Sequence, residues 1–573
     1  MYTIFRISYE FQFLRAIHDF QPEEVFCLTG RKIAKCDIGK RFEYRCSYVL
    51  TNMSLREFLK KQGVEHQKTE MDYRKQRFPW TEVTQEELNY CIADVLGLYE
   101  ALKKMMKADH MALSELPMTS TGYVRQDFKS AMRKGGFIPW ARSCAPDFEV
   151  YLMIRRAFRG GNTHCSRLYT GVIMDNVTSY DRSSSYPDTL VNFPYPVTPW
   201  VKQDIHQLSE LLDGFPYLIE VELWNVDLRD PFNGCPYLAV HKCYDLDYAN
   251  TISDNGRLCK TPYMRVYLTE IDLGITMAQY KWDRENVVRC YRSEYGMLPA
   301  PAIETIMHYY KLKTELKNVE GRENDYNRAK ARLNSCYGMA ATNPLRTSMV
   351  FNGVDFTPKE YDEEEELRKA NGKSFMPYVV GCYCTAYARK MLQDAIDLCG
   401  YKFIYCDTDS VKFAGDVDFS SLNSVIQARS EKHHAYADDP FGVRHYLGVW
   451  EREGKDLTKP TYKRFVSLGA KKYAYEDEKG LHITLAGVSK SGVKELNGKL
   501  ENFREGWVFR ESAGLEAAYN DLGHDPVVID GHTVEIPPNI WLHQSTYVLG
   551  LTLDYKDLFK LTQENFDKIM KSR

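Results

Sequence analysis

Apolar residues recur at helical spacing in some stretches of the chain and alternate or run together in others, and this pattern divides it. Residues 86–106, EELNYCIADVLGLYEALKKMM, carry apolar positions at helical spacing. Thr84 and Glu87 open that stretch as a capping box, T-x-x-E. Leu116-Pro117 closes this first unit, and residues 120–165 read as helical until Phe158-Arg159-Gly160-Gly161. The run GVIMDNVTSYD, 171–181, then reads as a strand. Residues 200–295 contain short β-like runs, YLIEVELWNV and YMRVYLTEI, with turn signals between them. Residues 301–341 predict two helices around a break at Asn318-Val319-Glu320-Gly321. Residues 345–376 are polar and acidic, with the run Asp362-Glu363-Glu364-Glu365-Glu366, and read as an insertion. FMPYVVGCYCTAYARKMLQDAI predicts a buried helix, KFIYCDTDSVKF a hairpin, and the end of the chain a charged tail. No internal repeat is present.

At 573 residues the chain exceeds one hydrophobic core, so a mixed α+β or α/β architecture of three to five domains is expected. A net charge of −3 excludes a globally basic, DNA-coating protein, so phosphate contacts would have to come from local stripes. One such stripe is Lys455, Lys459, Lys463, Arg464, Lys471 and Lys472 against the single acid Asp456, although a short charge run is as readily a solvated face. The 40 tyrosines offer stacking faces that suit nucleic acid and ordinary cores alike. Fifteen cysteines without a CxxC pair, and with CxC only at Cys382-Tyr383-Cys384, point to reduced thiols in a cytoplasm rather than a zinc site or disulfide frame. The sequence has no apolar run of the roughly 18 residues needed to span a membrane. Its start, MYTIFRISYEFQFLRAI, lacks the pattern of a signal peptide and opens abruptly, as if within a domain.

Three constellations carry candidate chemistry. In Phe403-Ile404-Tyr405-Cys406-Asp407-Thr408-Asp409-Ser410-Val411 two carboxylates sit at the turn of an apolar hairpin. They repel each other and resist burial unless cations compensate them, which points to a divalent metal, while a solvated D-T-D turn fits the same residues. In Ser179-Tyr180-Asp181-Arg182-Ser183-Ser184-Ser185-Tyr186-Pro187 an apolar strand delivers Asp181 at its end, and small residues follow that let the chain turn closely around a ligand. In the helical pair, Lys330, Asn334 and Tyr337 share one face, and Lys313 lies about as far before the break as Lys330 lies after it. Two ammonium groups would then converge where a triphosphate could neutralise them, although a solvated helical hairpin fits as well. Together the three make the parts of a phosphoryl-transfer site: a metal pair, a phosphate-grasping helix and a basic strand.

These residues resemble the motifs of the family B DNA polymerases. Asp181-x-x-Ser184-x-Tyr186-Pro187 is similar to D-x-x-S-L-Y-P with Ser185 in place of Leu. Lys330-x-x-x-Asn334-Ser335-x-Tyr337-Gly338 resembles the second motif, and Tyr405-x-Asp407-Thr408-Asp409-Ser410 the third, in the family's order. The protein-primed branch of phages and linear plasmids is closer still. Phe158-Arg159-Gly160-Gly161 stands where that branch has Y-x-G-G, and Lys471-Lys472-Tyr473 fits its K-x-Y. The resemblance covers the chain from about residue 65 to at least 510.

The resemblance implies a right-hand polymerase with palm, fingers and thumb. It places a truncated ribonuclease H-like 3′–5′ exonuclease at 1–118, linker and palm with the first motif at 119–199, and an insertion like terminal-protein region 1 at 200–298. Fingers follow at 299–344, an insertion like terminal-protein region 2 at 345–376, palm at 377–490, and thumb and tail at 491–573. It implies template and primer DNA, dNTPs and a terminal protein as partners of a monomer, and two Mg²⁺ ions, with Mn²⁺ as a substitute. Asp181 and Asp409 would ligate the metals together with the Arg182 carbonyl, with Asp407 as a supporting acid. Ser184, Tyr186, Lys313, Lys330, Asn334 and Tyr337 would bind the nucleotide, Tyr186 excluding a 2′-hydroxyl. Arg159, Gly160, Gly161, Thr408, Lys471 and Tyr473 would contact primer and template.

At the N-terminus only Tyr90-x-x-x-Asp94 matches the exonuclease motifs intact. Tyr9-Glu10 resembles the end of the middle motif, with Arg6 where Asn is expected, and Glu70 and Tyr73 resemble ancillary positions. The D-x-E strand would precede Met1, so little or no exonuclease activity is expected. Two other readings compete: a polymerase that makes or copies RNA, against which Tyr186 and the full set of three motifs respectively argue, and a nucleic-acid-binding relic, against which three retained acids argue.

Overall fold

The computed structural model describes residues 2–4, 7–15, 17–29, 32–39, 41–72, 77–78, 80–346, 349–353, 356–454, 456–520, 524–536, 539–558 and 560. Arg6, Tyr73 and Lys455 lie outside the described residues.

A central antiparallel sheet organises the molecule. Met174–Arg182 runs through its middle, flanked on one side by Tyr462–Gly469, Lys472–Asp477 and Gly480–Leu485. On the other side lie Ser410–Ala414, Phe403–Asp407 and Thr163–Cys165, and Trp450–Arg452 pairs with the end of the middle strand. Val177, Tyr405, Val411, Phe413 and Phe465 are buried between the sheet and its surroundings. The helix Val379–Cys399, with buried residues along most of its length, packs against Ser410–Ala414, as the apolar run predicts. Register sets the chemistry: Ser410 pairs with Asp181, Asp407 with both Ser410 and Thr163, and Glu451 with Asp181. Strand ends from four separate stretches of sequence therefore finish at one level.

Ser120–Lys134, Ala300–Glu315 and Glu323–Ala340 pack side by side, and the last two meet Ser185–Asn192, the helix that follows the middle strand of the sheet. The break between the last two lies where it is expected. Asn318 and Gly321 take φ of +59° and +72°, the left-handed region that Asn and Gly tolerate best. The capping box at Thr84 is present, with Thr84 and Glu87 exchanging bonds of 3.2 and 2.9 Å, and the helix it opens runs Gln85–Asp109.

Residues 200–298 form a sheet with its own core, in which Tyr217–Leu228 lies between Arg257–Thr269 and Arg284–Arg292. The segment 345–376 is more ordered than a polar insertion suggests. Met349–Phe351 and Phe356–Pro358 form a hairpin whose first strand pairs with Val25–Thr29 of the N-terminal sheet, Met349 opposite Cys27. Phe351 is buried there with Phe11 and Phe20. The acidic run becomes the first turn of the helix Glu363–Asn371, capped by Asp362. Four carboxylates at a helix N-terminus, with Arg368 and Lys369 in the last turn, suit the helix dipole.

Near the C-terminus Asp554 accepts from Ser253 Oγ at 3.0 Å and from the Gly256 N–H at 2.7 Å, tying the last described residues to the 200–298 sheet. The expected basic stripe is largely matched by acids. Lys459 pairs with Glu478 at 3.1 Å, Arg464 with Glu476 at 2.7 Å, and Lys471 with Asp407. Among the described residues no helix is long and apolar enough to cross a membrane.

Candidate functional site

Asp181, Asp407 and Asp409 come together at the ends of the paired central strands. The Arg182 N–H donates to the Asp409 carbonyl at 2.8 Å, which locks the two motifs at the level of their acids. Burial, then the charges of Asp409 and Glu453, push the Asp181 carboxyl up to about 7 against the opposing pull of Lys412 and Lys330. Asp409 is also raised, by burial and by Asp407. Two ionised carboxylates held in this way need a cation beside them. Hard oxygen donors suit Mg²⁺ or Mn²⁺, so the residues present fit the divalent ions expected from the sequence.

Across the cleft, Lys313 and Lys330 do converge. Burial and the charges of Lys330 and Lys317 bring the Lys313 ammonium down to about 8. A polyanion bound there would relieve both strains. Lys313 Nζ donates to Ser184 Oγ at 3.0 Å, and Ser184 holds a left-handed φ of +51° at the turn after Asp181. Tyr186, one residue into the helix Ser185–Asn192, stacks on Tyr337 with ring centroids 4.0 Å apart. Lys330 and Asn334 are exposed on the face of Glu323–Ala340 that also carries Tyr337. The site thus has a basic end and an aromatic side.

The Gly160-Gly161 loop meets the hairpin turn directly. The Thr408 N–H donates to the Asn162 carbonyl at 2.7 Å, and Thr408 takes a φ of +60°. A Cβ on Gly161 would lie 2.7 Å from Thr408 Cγ2 and 2.9 Å from its Oγ1, so a side chain there would force the loop or the turn to shift. Arg159 departs from its expected place beside the template. It is 7% exposed, and its guanidinium bonds the carbonyls of Ala157 and Tyr267 at 3.0 and 2.8 Å. The reason is local. The fully buried Asp272 attracts both Arg159 and Arg389, and Arg389 in turn binds the carbonyls of Arg159 and Gly160. Arg159 therefore shapes the loop from inside. Lys471 has a φ of +58°, donates its N–H to the Tyr405 hydroxyl at 3.0 Å and ion-pairs Asp407. Tyr473 packs its ring 5.0 Å from that of Tyr405.

The exonuclease-like positions lie on separate elements, with Tyr90 and Asp94 sharing one helix. Glu10 lies on Ile7–Leu14, which packs on the N-terminal sheet, whereas the helix of Tyr90 and Asp94 packs on Leu55–Gln62. Glu70 is exposed and pairs with Arg56 at 3.0 Å. Asp94 is instead engaged by Lys68, whose Nζ lies 2.9 and 2.6 Å from its two oxygens and 2.5 Å from the Tyr90 hydroxyl. Lys68 escapes the sequence reading, which singles out Glu70 and Tyr73 beside it and assigns the lysine no role. Lys412 and Glu453 behind the acids also escape pattern reading, the first because a lysine in a strand reads as solvated. Lys412 is 4% exposed, its Nζ 3.3 Å from Ser410 Oγ.

The model of a family described as DNA polymerase type B, organellar and viral, matches residues 39–424. The chain is 24% identical to the DNA polymerase of Bacillus phage Nf over 437 residues, 76% of this chain and 65% of that protein. It is 23% identical to the DNA polymerase of Bacillus phage B103 over 409 residues, 71% of this chain and 63% of that one. The chain thus spans just under two thirds of the length of these relatives. In structure it is similar to Phi29 DNA polymerase complexed with primer-template DNA and incoming nucleotide, with a TM-score of 0.69 and 17% identity, covering 96% of this chain and 90% of that one. Its post-translocation binary complex with primer-template DNA gives a TM-score of 0.70 at 18% identity, over 95% and 90% of the two chains. The right-hand polymerase architecture expected from the motifs is therefore the fold of this chain.

Proposed function

The chain belongs to the organellar and viral type B DNA polymerases, and from that membership we propose that it is a DNA-directed DNA polymerase extending a primer on template DNA with dNTPs. The observation that carries the reading is the pair Asp181 and Asp409, pressed together at the strand ends and facing the depressed ammonium of Lys313. Asp181, Asp409 and the Arg182 carbonyl would hold two Mg²⁺ ions, for which Mn²⁺ could substitute. When bound, such ions lower the pKa of a 3′-hydroxyl and stabilise charge on the phosphorus it attacks. Lys313 and Lys330 hold the triphosphate and its departing pyrophosphate. Tyr186 underlies the sugar and leaves no room for a 2′-hydroxyl, while Asn334 and Tyr337 flank the new base pair. Lys471 and Tyr473 hold the primer end, with the Lys471 ammonium exchanging Asp407 for primer phosphate. Thr408 and Gly161 close the wall between the hairpin and the template loop.

The primer that starts synthesis is the hydroxyl of a terminal protein, contacted by 200–298 and 345–376, and the enzyme acts as a monomer in the cytoplasm of a host cell. Support for this finer part is positional: a unit with its own core at 200–298 and a hairpin and helix at 345–376, beside the motifs of the protein-primed branch. The test is extension of a primed template with dNTPs and Mg²⁺ by the chain and by Asp409→Ala. Extension by the parent, none by the variant and equal DNA binding by both are expected. Extension by the variant at parental rate removes Asp409 from the chemistry.

A further inference from the structure

Between Asp181 and Tyr186 the chain is held by a buried ion pair that the reaction does not use. Arg182 is 1% exposed and Asp188 0%. The Arg182 guanidinium spends its donors in three directions. Nε reaches the Gly448 carbonyl at 3.2 Å, Nη1 reaches Ser185 Oγ at 3.0 Å, and Nη2 meets the Asp188 carboxylate. Asp188 also accepts from Asn192 Nδ2 at 2.6 Å, and a second guanidinium, that of Arg429, lies 3.7 Å from it. Asn192 Nδ2 lies 3.1 Å from Ser430 Oγ, which donates to the Leu447 carbonyl at 3.2 Å. Gly448 covers the pair: a Cβ there would stand 2.4 Å from the Asp188 carboxyl carbon. Backbone bonds of 2.8 Å between Gly448 and Ser183, and between Ser183 and Val449, close the frame.

The buried face of the helix Ser185–Asn192 thus includes Ser185, Asp188, Thr189 and Asn192, a polar face fixed by directional bonds. Its half-buried side presents Tyr186 to Tyr337. A buried ion pair is a weak source of stability, because desolvation offsets most of its attraction, and apolar residues of equal volume would pack there at no such cost. What the pair supplies is direction. A planar fork with three partners fixes the turn at Ser184 and the first turn of the helix, and with them the position of the Tyr186 ring against Tyr337.

We propose that Arg182 and Asp188 are positioning residues for sugar selection: their ion pair holds Tyr186 at the height where its ring clashes with a ribonucleotide and admits a deoxynucleotide. This rests on the polymerase reading above. Exclusion by clash tolerates little slack, since displacement of the ring by a fraction of an ångström opens space for one hydroxyl.

The experiment compares Asp188→Asn, Arg182→Lys and the double variant Arg182→Met/Asp188→Leu with the parent. The readouts are kcat/KM for rNTPs and dNTPs with Mg²⁺, and thermal midpoints. The rNTP-to-dNTP ratio of kcat/KM is expected to rise roughly tenfold or more in all three variants. Arg182→Lys keeps the charge and loses the fork, so a role in charge neutralisation alone leaves its ratio parental. The double variant leaves no fully buried charge unpaired, since Arg429, 3.7 Å from Asp188, has a side chain that is 21% exposed and keeps access to water; it is expected to melt within a few degrees of the parent, so its ratio can be read even if the single variants fold poorly. A parental ratio in the double variant overturns the proposal while leaving the polymerase reading intact. A parent that extends no primer overturns both.

Discussion

Replacing Asp181 with Asn should stabilise the metal-free protein at alkaline pH and leave it unable to polymerise. The Asp181 carboxyl moves from 3.8 to about 7 on folding, through burial first and the charges of Asp409 and Glu453 second. An acid raised in this way binds more protons folded than unfolded across that interval, so folding stability falls as pH climbs from about 4 to about 7. A shift of about 3 units corresponds to a ceiling of about 4 kcal/mol above pH 7. Because Asp409 titrates with it, the slope belongs to the pair. Asn keeps the shape and removes the charge. If half the ceiling is recovered, about 2 kcal/mol, the apparent midpoint of a chain of 573 residues melting as one unit rises by about 2 °C. The assay is thermal melting in EDTA at acid and alkaline pH, then with Mg²⁺. In EDTA the variant should melt above the parent at alkaline pH and beside it at acid pH. Mg²⁺ should raise the parent's midpoint at alkaline pH and the variant's far less, since the ion binds only the folded site. A variant that melts at or below the parent in alkaline EDTA would refute the claim that these acids are held against their own repulsion.

Tyr186→Ala or Val should raise rNTP incorporation more than it lowers dNTP incorporation, and unchanged selectivity in competing-nucleotide extension would remove the ring from that role. Gly161→Ala should cut extension by on the order of 100-fold, because a Cβ 2.7 Å from Thr408 forces the hairpin turn and the loop apart. Parental kinetics in that variant would mean that the two move freely. A 3′-labelled single strand should survive incubation with Mg²⁺ or Mn²⁺, equally with the parent and with Asp94→Ala, since Lys68 already neutralises Asp94. Degradation that disappears in Asp94→Ala would establish an exonuclease here.

The parts of the site that lie within one element were legible in the sequence. Lys330, Asn334 and Tyr337 follow from helical spacing, and the hairpin of Asp407 and Asp409 from apolar flanks around a polar turn. What joins these parts was legible only through the resemblance, because the pairing of Ser410 with Asp181 spans more than two hundred residues and no local pattern encodes it. Arg159 shows the limit on side chains. A guanidinium beside two glycines looks outward in sequence, and only the fold brings the buried Asp272 within reach. The acidic run at 362–366 reads in sequence as part of a polar insertion, and its charge hides its order. The helix becomes evident once Asp362 is seen to cap it.

The pairing of Met349–Phe351 with Val25–Thr29 also has a meaning in time. A ribosome delivers Cys27 more than three hundred residues before Met349, and at ordinary elongation rates that gap is about 15–60 s. Throughout it, Phe11 and Phe20 lack the Phe351 ring that shares their core, and the outer strand of the N-terminal sheet stands open. The nascent N-terminal unit therefore waits, half-built and adhesive, until the polypeptide loops back to finish it. Such an interval favours chaperone engagement, and it makes the first module of the chain one of the last to become fully native.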